Sequence, residues 1–300
     1  MDLLDCLEDS VSLSSMAFMV PQDDVHDILA TLFARERAAA RPASDYMVRV
    51  QTLGMKALWR AQVCDWMTSM AAAVDFEATT VALAIHYLDR YLSAVAIRQS
   101  ELELVALVCV MTASKFHEKD SLTVAEVAQM IDDKYTPAAI LALERQVLQV
   151  LQWKLHAILP SHFINAYVAL LPTDIVDAVA DLCADLLPTV TKDLSSLEFY
   201  PSEVGYTVFC AALEQLNLVA AIPTYAGEST RLNECDEVVE AIFEANIASK
   251  RGRRLSIDTS APVAAAPSKQ RPRSPSNVED FFEEEAAARS IQRRRLSSSP

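Results

Sequence analysis

Leu58-Trp59-Arg60-Ala61-Gln62-Val63-Cys64-Asp65-Trp66-Met67-Thr68-Ser69-Met70-Ala71-Ala72-Ala73-Val74 reads as one amphipathic helix. Val63, Trp66, Met67, Met70 and Val74 recur at spacings of three and four, which puts them on a single apolar stripe. Such a stripe needs neighbouring elements to cover it, and the following residues supply them. Asp75 is placed to cap a second helix over residues 76–92. Ser100 with Glu103 has the form of a capping box opening a third helix over 101–116. The middle of that helix, Leu104, Val105, Leu107, Val108, Val110 and Met111, is apolar all round, so it is expected to be surrounded by others. Thr123 with Glu126 opens a short fourth helix to Ile131. Thr136 and Pro137 supply an N-cap and an N1 proline for a fifth, 138–151, whose stripe is Ile140, Leu143, Val147 and Leu151.

Working outward, the whole chain has four glycines in 300 residues, and none lies between Leu58 and Leu155. Glycine serves hairpins, tight loops and phosphate cradles. Its scarcity predicts an all-α protein, and no G-x-G-x-x-G or G-x-x-x-x-G-K is present. After a connector at Leu155–Pro160 comes a second helical series, 162–171, 174–187, 202–216 and 233–248, punctuated by Pro172, Pro188, Pro201 and Pro223. The expected organisation is an arm over 1–22, a first helical domain over 23–157, a second over 158–249, and an Arg-, Ser-, Pro- and Ala-rich disordered tail over 250–300. Within the tail, residues 277–295 run from acidic to basic, the polarity that suits a transient helix.

Charge is unevenly spread. The net charge is −15, yet residues 251–300 hold ten basic and six acidic side chains, net +4, leaving −19 on residues 1–250. An acidic body disfavours direct nucleic-acid binding, because phosphate contacts dominate that affinity. The six cysteines (6, 64, 109, 183, 210 and 235) form no C-x-x-C pair, which fits a reducing compartment rather than a disulfide framework or zinc site. His26, His86, His156 and His162 show no metal-ligand spacing, and the Asp132-Asp133 pair reads as a solvated helix end, so neither a metal nor a cofactor is expected. The longest apolar stretch, 104–113, is half of what a bilayer needs, and Met1–Asp9 is acidic, unlike a signal peptide. An intracellular, soluble protein with no membrane partner is expected.

Four motifs in order give a resemblance. Arg60-Ala61-Gln62-Val63-Cys64-Asp65-Trp66-Met67 resembles the first-helix signature of a cyclin box, and Leu88-Asp89-Arg90-Tyr91-Leu92-Ser93 the second. Ala113-Ser114-Lys115-Phe116 and Leu143-Glu144-Arg145-Gln146-Val147-Leu148 look like the ends of the third and fifth helices. The second half is similar to a second cyclin fold in helix count and length. In the arm, Leu4-Asp5-Cys6-Leu7-Glu8 is L-x-C-x-E, as in D-type cyclins and other ligands of retinoblastoma-type pocket proteins. In an extended chain Leu4, Cys6 and Glu8 project to one side.

The resemblance implies an all-α protein of two consecutive cyclin-box-like domains, without catalytic residues. It implies a regulatory subunit that activates a cyclin-dependent protein kinase and promotes the G1/S transition of the cell division cycle by directing phosphorylation of a pocket protein. A cyclin binds the state in which the kinase helix bearing the active-site Glu is rotated in, and so shifts that population. Lys115 and Glu144 are the implied kinase contacts, and Arg60 and Asp89 the implied internal ion pair. Trp59, Gln62, Val63 and Trp66 fall on the patch that docks R-x-L substrates and inhibitors, with Trp59 in place of the usual Met and Gln62 in place of an aliphatic. His117 stands where many relatives carry Glu.

The tail offers phosphorylation candidates at Ser256, Ser274, Ser297 and Ser299, and an import-signal candidate at Lys250-Arg251-Gly252-Arg253-Arg254, which implies both nucleus and cytoplasm. Both Arg253-Arg254-Leu255 and Arg294-Arg295-Leu296 are themselves R-x-L. Rival readings are a cyclin-box transcription factor, a transcriptional-kinase cyclin and an all-α enzyme. The acidic body opposes the first, the L-x-C-x-E arm the second, and the lack of clustered acids or histidines the third.

Overall fold

The computed structural model describes residues 22–131 and 134–257. Among the described residues there are eleven α-helices, two short 3-10 turns and no strand. They are α1 (Gln22–Ala38), α2 (Tyr46–Arg49), α3 (Ala57–Ala73), α4 (Ala78–Leu92), α5 (Gln99–His117), α6 (Val124–Met130), α7 (Pro137–Val150), α8 (Pro160–Val168), α9 (Val176–Thr191), α10 (Pro201–Gln215) and α11 (Leu232–Ile257). The chain divides into two compact units.

One unit spans residues 50–153 and holds α3 to α7. Every α5 residue from Leu104 to Ser114 is buried, as expected for a helix without a polar face. α3, α4, α6 and α7 pack around it. Two of the sequence-read caps close as drawn. Glu126 N–H donates to Thr123 Oγ1 at 3.3 Å while Thr123 N–H donates to Glu126 Oε2 at 2.8 Å. Ala139 N–H donates to Thr136 Oγ1 at 3.2 Å, ahead of the N1 proline.

Two other caps differ. Asp75 does not open α4; its φ is +61°, a left-handed turn conformation that short polar side chains tolerate. The N-cap is Glu77, whose N–H donates to Glu118 Oε1 at 2.9 Å. Helix α5 starts two residues earlier than read, at Gln99, and Glu101 rather than Glu103 reaches back to the Arg98 N–H at 2.7 Å.

The other unit is discontinuous, residues 22–49 with 154–257. Its core joins Val25, Ile28, Leu29 and Leu32 of α1 to Phe163, Tyr167, Val179, Val208 and Phe209. Helix α1, grouped by sequence order with residues 23–157, thus packs with the later helices. Its amphipathic stripe can be covered by any apolar surface of the right shape, and the α8–α10 layer provides it. Gly205 lets α8 and α10 approach closely: a Cβ there would lie 2.6 Å from the Pro160 carbonyl oxygen. Pro188 does not stop α9, which continues to Thr191 around it. Helix α11 continues past residue 250, where the tail was expected to begin.

Candidate functional site

Helices α3 and α4 place Arg60 and Asp89 against each other. Arg60 Nε donates to Asp89 Oδ1 at 2.7 Å and its Nη2 to Oδ2 at 2.6 Å, a bidentate pair. The side chains are 0% and 2% exposed, so the charges compensate each other out of water. Arg90, on the next position of α4, donates to the Leu151 carbonyl at 2.8 Å and ties α4 to the end of α7. Burial pulls its guanidinium below the usual arginine value, and the nearby Tyr87 opposes that pull. Gln51 bridges the α4–α5 connection, donating to the carbonyls of Leu92 (2.6 Å) and Val95 (2.8 Å) and accepting from Ile97 N–H (3.2 Å). Nothing in the sequence marks Gln51, because a single Gln has no periodic signature.

This framework carries a second pair on its surface. Lys115, in the last turn of α5, meets Glu144 of α7 at 2.6 Å, with side chains 39% and 12% exposed. The exposed apolar side chains Phe116 and Leu141 are its chain neighbours, Leu141 one helical turn before Glu144. Beyond α7, Gln152 and Trp153 both have positive φ, and Trp153 is 67% exposed. Leu141 and Trp153 escaped the sequence reading; an apolar residue three before Glu144 on a polar helix face was the available signal for the first.

His117 turns toward the start of α4. Its Nδ1 lies 3.1 Å from Thr80 Oγ1 and 4.0 Å from Glu77 Oε2, and Thr80 Oγ1 donates to Glu118 Oε1 at 2.5 Å. On α3, Val63 is buried, while Trp59, Gln62 and Trp66 are half-buried on the outward stripe, with Lys56 stacked over the Trp59 ring. Leu4, Cys6, Glu8, Ser274, Ser297 and Ser299 lie outside the described residues, as does the Asp132-Asp133 pair; Ser256 falls in the last turns of α11.

In the discontinuous unit, the buried Glu36 of α1 accepts from Ser202 N–H and Ser202 Oγ, both at 2.7 Å, and so caps the first turn of α10. Burial raises the Glu36 carboxyl above the usual range, opposed by the Ser202 hydrogen bonds and by Arg41. Arg41 donates to the Phe199 carbonyl and stacks over Tyr200. Sequence gave no sign of this, because Glu36 and Ser202 are 166 positions apart.

Burial pushes the Cys183 and Cys235 thiols up to about 12 and Cys210 to about 11, far from the thiolate range of a nucleophile. Among the described residues, no three His, Cys, Asp or Glu side chains come together as metal ligands, and no helix is long and apolar enough to cross a membrane.

Residues 27–156 match the family described as cyclin, N-terminal domain. The chain is 28% identical over 226 residues to the G2/mitotic-specific cyclin-A of Hydra viridissima, covering 74% of this chain and 52% of that protein. To the G1/S-specific cyclin-D1 of Xenopus laevis it is 25% identical over 262 residues, covering 82% of this chain and 88% of that one. To human cyclin-A2 it is 30% identical over 56% of this chain, which spans 37% of that protein. The fold is similar to that of a viral cyclin from herpesvirus saimiri, with a TM-score of 0.62 at 17% identity over 72% of this chain and 96% of that one. The all-α architecture is therefore a cyclin fold, and residues 27–156 match the cyclin N-terminal domain.

Proposed function

We propose that this chain is the activating and substrate-targeting regulatory subunit of a cyclin-dependent protein kinase, itself contributing no catalytic group. The observation that carries the reading is the Lys115–Glu144 pair, 2.6 Å apart with Lys115 exposed and Glu144 half-buried, whose chain neighbours Phe116 and Leu141 are exposed, within the residues that match the cyclin N-terminal domain. A lysine and a carboxylate on one apolar surface give a partner both a donor and an acceptor to read, and the apolar side chains gain most when water is excluded. The partner would be a kinase helix held in its active position, so binding shifts a population rather than adding chemistry.

Within that reading, the subunit is D-type-like and acts at the G1/S transition. Leu4, Cys6 and Glu8 form the motif for a retinoblastoma-type pocket protein, and the likeness to cyclin-D1 runs over most of that protein's length. Tethering the pocket protein raises its effective concentration at the kinase without tight binding at either site. The acidic and basic arrangement of chain and tail supports a protein that moves between nucleus and cytoplasm. The A-type relatives favour a second reading, a mitotic-kinase subunit with no need of the arm.

An affinity pull-down of the full chain from native extract, with kinases identified by mass spectrometry, tests the first claim; recovery of no cyclin-dependent kinase contradicts it. Cys6→Gly separates the two readings. The D-type reading expects loss of the pocket protein with the kinase retained, and a pull-down unchanged by the substitution favours the A-type reading.

A further inference from the structure

Helix α4 starts without help from its own N-cap residue, because the Glu77 side chain makes no capping bond. A helix start leaves backbone N–H groups that need acceptors, and here the acceptor comes from the far end of α5. Glu118 leaves that helix in extended conformation, with φ −92° and ψ 152°. Its Oε1 accepts from the Glu77 N–H at 2.9 Å and from the Thr80 hydroxyl at 2.5 Å. A carboxylate at a helix N-terminus is also favoured by the helix dipole. Thr80 is fully buried and has one hydroxyl proton, which Glu118 takes. The 3.1 Å contact between Thr80 Oγ1 and His117 is therefore donated by the His117 Nδ1–H.

His117 and Glu118 are thus both bound to the start of α4, and Lys115 and Phe116 immediately precede them in the last turn of α5. On the other side of that turn, Ser114 Oγ accepts from the Leu122 N–H at 3.1 Å and donates to the Met111 carbonyl at 3.0 Å, which holds the chain as it returns. Helix ends fray unless such ties close them. Lys115 reaches Glu144 of α7 across 2.6 Å, so the direction of its side chain depends on where the last turn of α5 is held. A surface already held in its binding geometry loses less freedom on association than a frayed one.

We infer that Glu118 is a positioning residue for the Lys115 surface: it fixes the last turn of α5 on the start of α4, and so holds Lys115 against Glu144 and Phe116 beside it. His117 and Thr80 complete the tie. The role in partner binding rests on the reading of Lys115 and Glu144 as kinase contacts, and Glu118 acts through Lys115, with its own carboxylate turned inward to α4. Both of its bonds go to a single oxygen, so glutamine at this position keeps both through its carbonyl oxygen, while alanine keeps neither.

Competitive acylation of the full chain, read by mass spectrometry, follows Lys115 directly, with the exposed Lys56 and Lys134 of the same unit as internal references. A role in stability alone lowers the denaturation midpoint and leaves native-state labelling of Lys115 in step with the references. The positioning role expects labelling of Lys115 to rise about threefold or more in Glu118→Ala, at a temperature where the variant is folded, and to return to the parent value in Glu118→Gln. Affinity for a recombinant cyclin-dependent kinase should fall about tenfold in Glu118→Ala and recover in Glu118→Gln. Should Glu118→Ala not fold, Thr80→Val removes the hydroxyl donor, keeps the side-chain shape and carries both readouts in the same direction. Equal Lys115 labelling in parent and variant overturns the inference, as does raised labelling with kinase affinity within about twofold of the parent. The labelling is done without kinase. A parent chain that binds no cyclin-dependent kinase therefore contradicts the kinase-subunit reading, and the labelling alone then decides whether Glu118 positions Lys115.

Discussion

Two ion pairs in the 50–153 unit share their sequence separation and closest approach and have opposite consequences. Arg60–Asp89 and Lys115–Glu144 each join residues 29 positions apart, and each closes to 2.6 Å. The first has side chains 0% and 2% exposed and locks α3 to α4. The second leaves Lys115 39% exposed at the molecular surface. Distance therefore does not set what a pair does; solvent does. Out of water, each charge depends on its partner for solvation, so the pair is structural. At the surface, the 39%-exposed Lys115 can exchange the 12%-exposed Glu144 for water or for another protein at far less cost, so the pair is available for recognition.

The sharpest way to break that comparison is Asp89→Asn. It removes the opposite charge from the buried Arg60 guanidinium and is expected to cost about 3–5 kcal/mol, read by denaturant unfolding. A loss below about 1 kcal/mol would place Arg60 in contact with water and remove the distinction.

Glu36 adds a third case, a buried carboxylate held mainly by hydrogen bonds. Glu36→Ala leaves Ser202 N–H and Oγ without their acceptor and is expected to cost about 1–3 kcal/mol, seen as a lower denaturation midpoint of the discontinuous unit. Its pH dependence has a definite sign. The folded carboxyl is raised by burial, so its favourable contribution is complete below the ordinary carboxylate range and is lost as pH rises through the raised value. The midpoint of the parent chain should fall across that window, and Glu36→Gln should flatten the curve.

Much of this contrast was legible before the structure. The α3 and α7 stripes follow from helical periodicity, the central place of α5 from its all-round apolar middle, and the Thr123–Glu126 and Thr136–Pro137 starts from local side-chain chemistry that acts within four residues. The motifs named Arg60 and Asp89 as an internal pair and Lys115 and Glu144 as surface contacts, but not that Lys115 and Glu144 pair with each other, because that depends on where the fold brings α5 against α7. The failures have the same origin. Asp75 and Ser100 have the right side chains for caps, yet the chain enters α4 through a left-handed turn and α5 through Arg98. The α1 stripe of Val25, Ile28, Leu29 and Leu32 shows that a face must be covered but not by which helices. Glu36 and Ser202 carry no mark linking positions so far apart.

Smaller effects sharpen the surface side of the comparison. Lys115→Met should change stability by no more than about 1 kcal/mol. In a double-mutant cycle, the Lys115–Glu144 coupling should shrink between low and 1 M salt, where the Debye length falls to about 3 Å, while the Arg60–Asp89 coupling should not. Equal salt sensitivity would mean that both pairs see the same solvent.

The most direct measurement is on the charge-swapped chain, Lys115→Glu with Glu144→Lys, followed for both unfolding and kinase co-purification. The swap restores an ion pair of reversed polarity on the same surface. The account predicts a denaturation midpoint close to that of the parent and loss of the cyclin-dependent kinase from the pull-down. A folded, swapped chain that still brings down the kinase in full would contradict it.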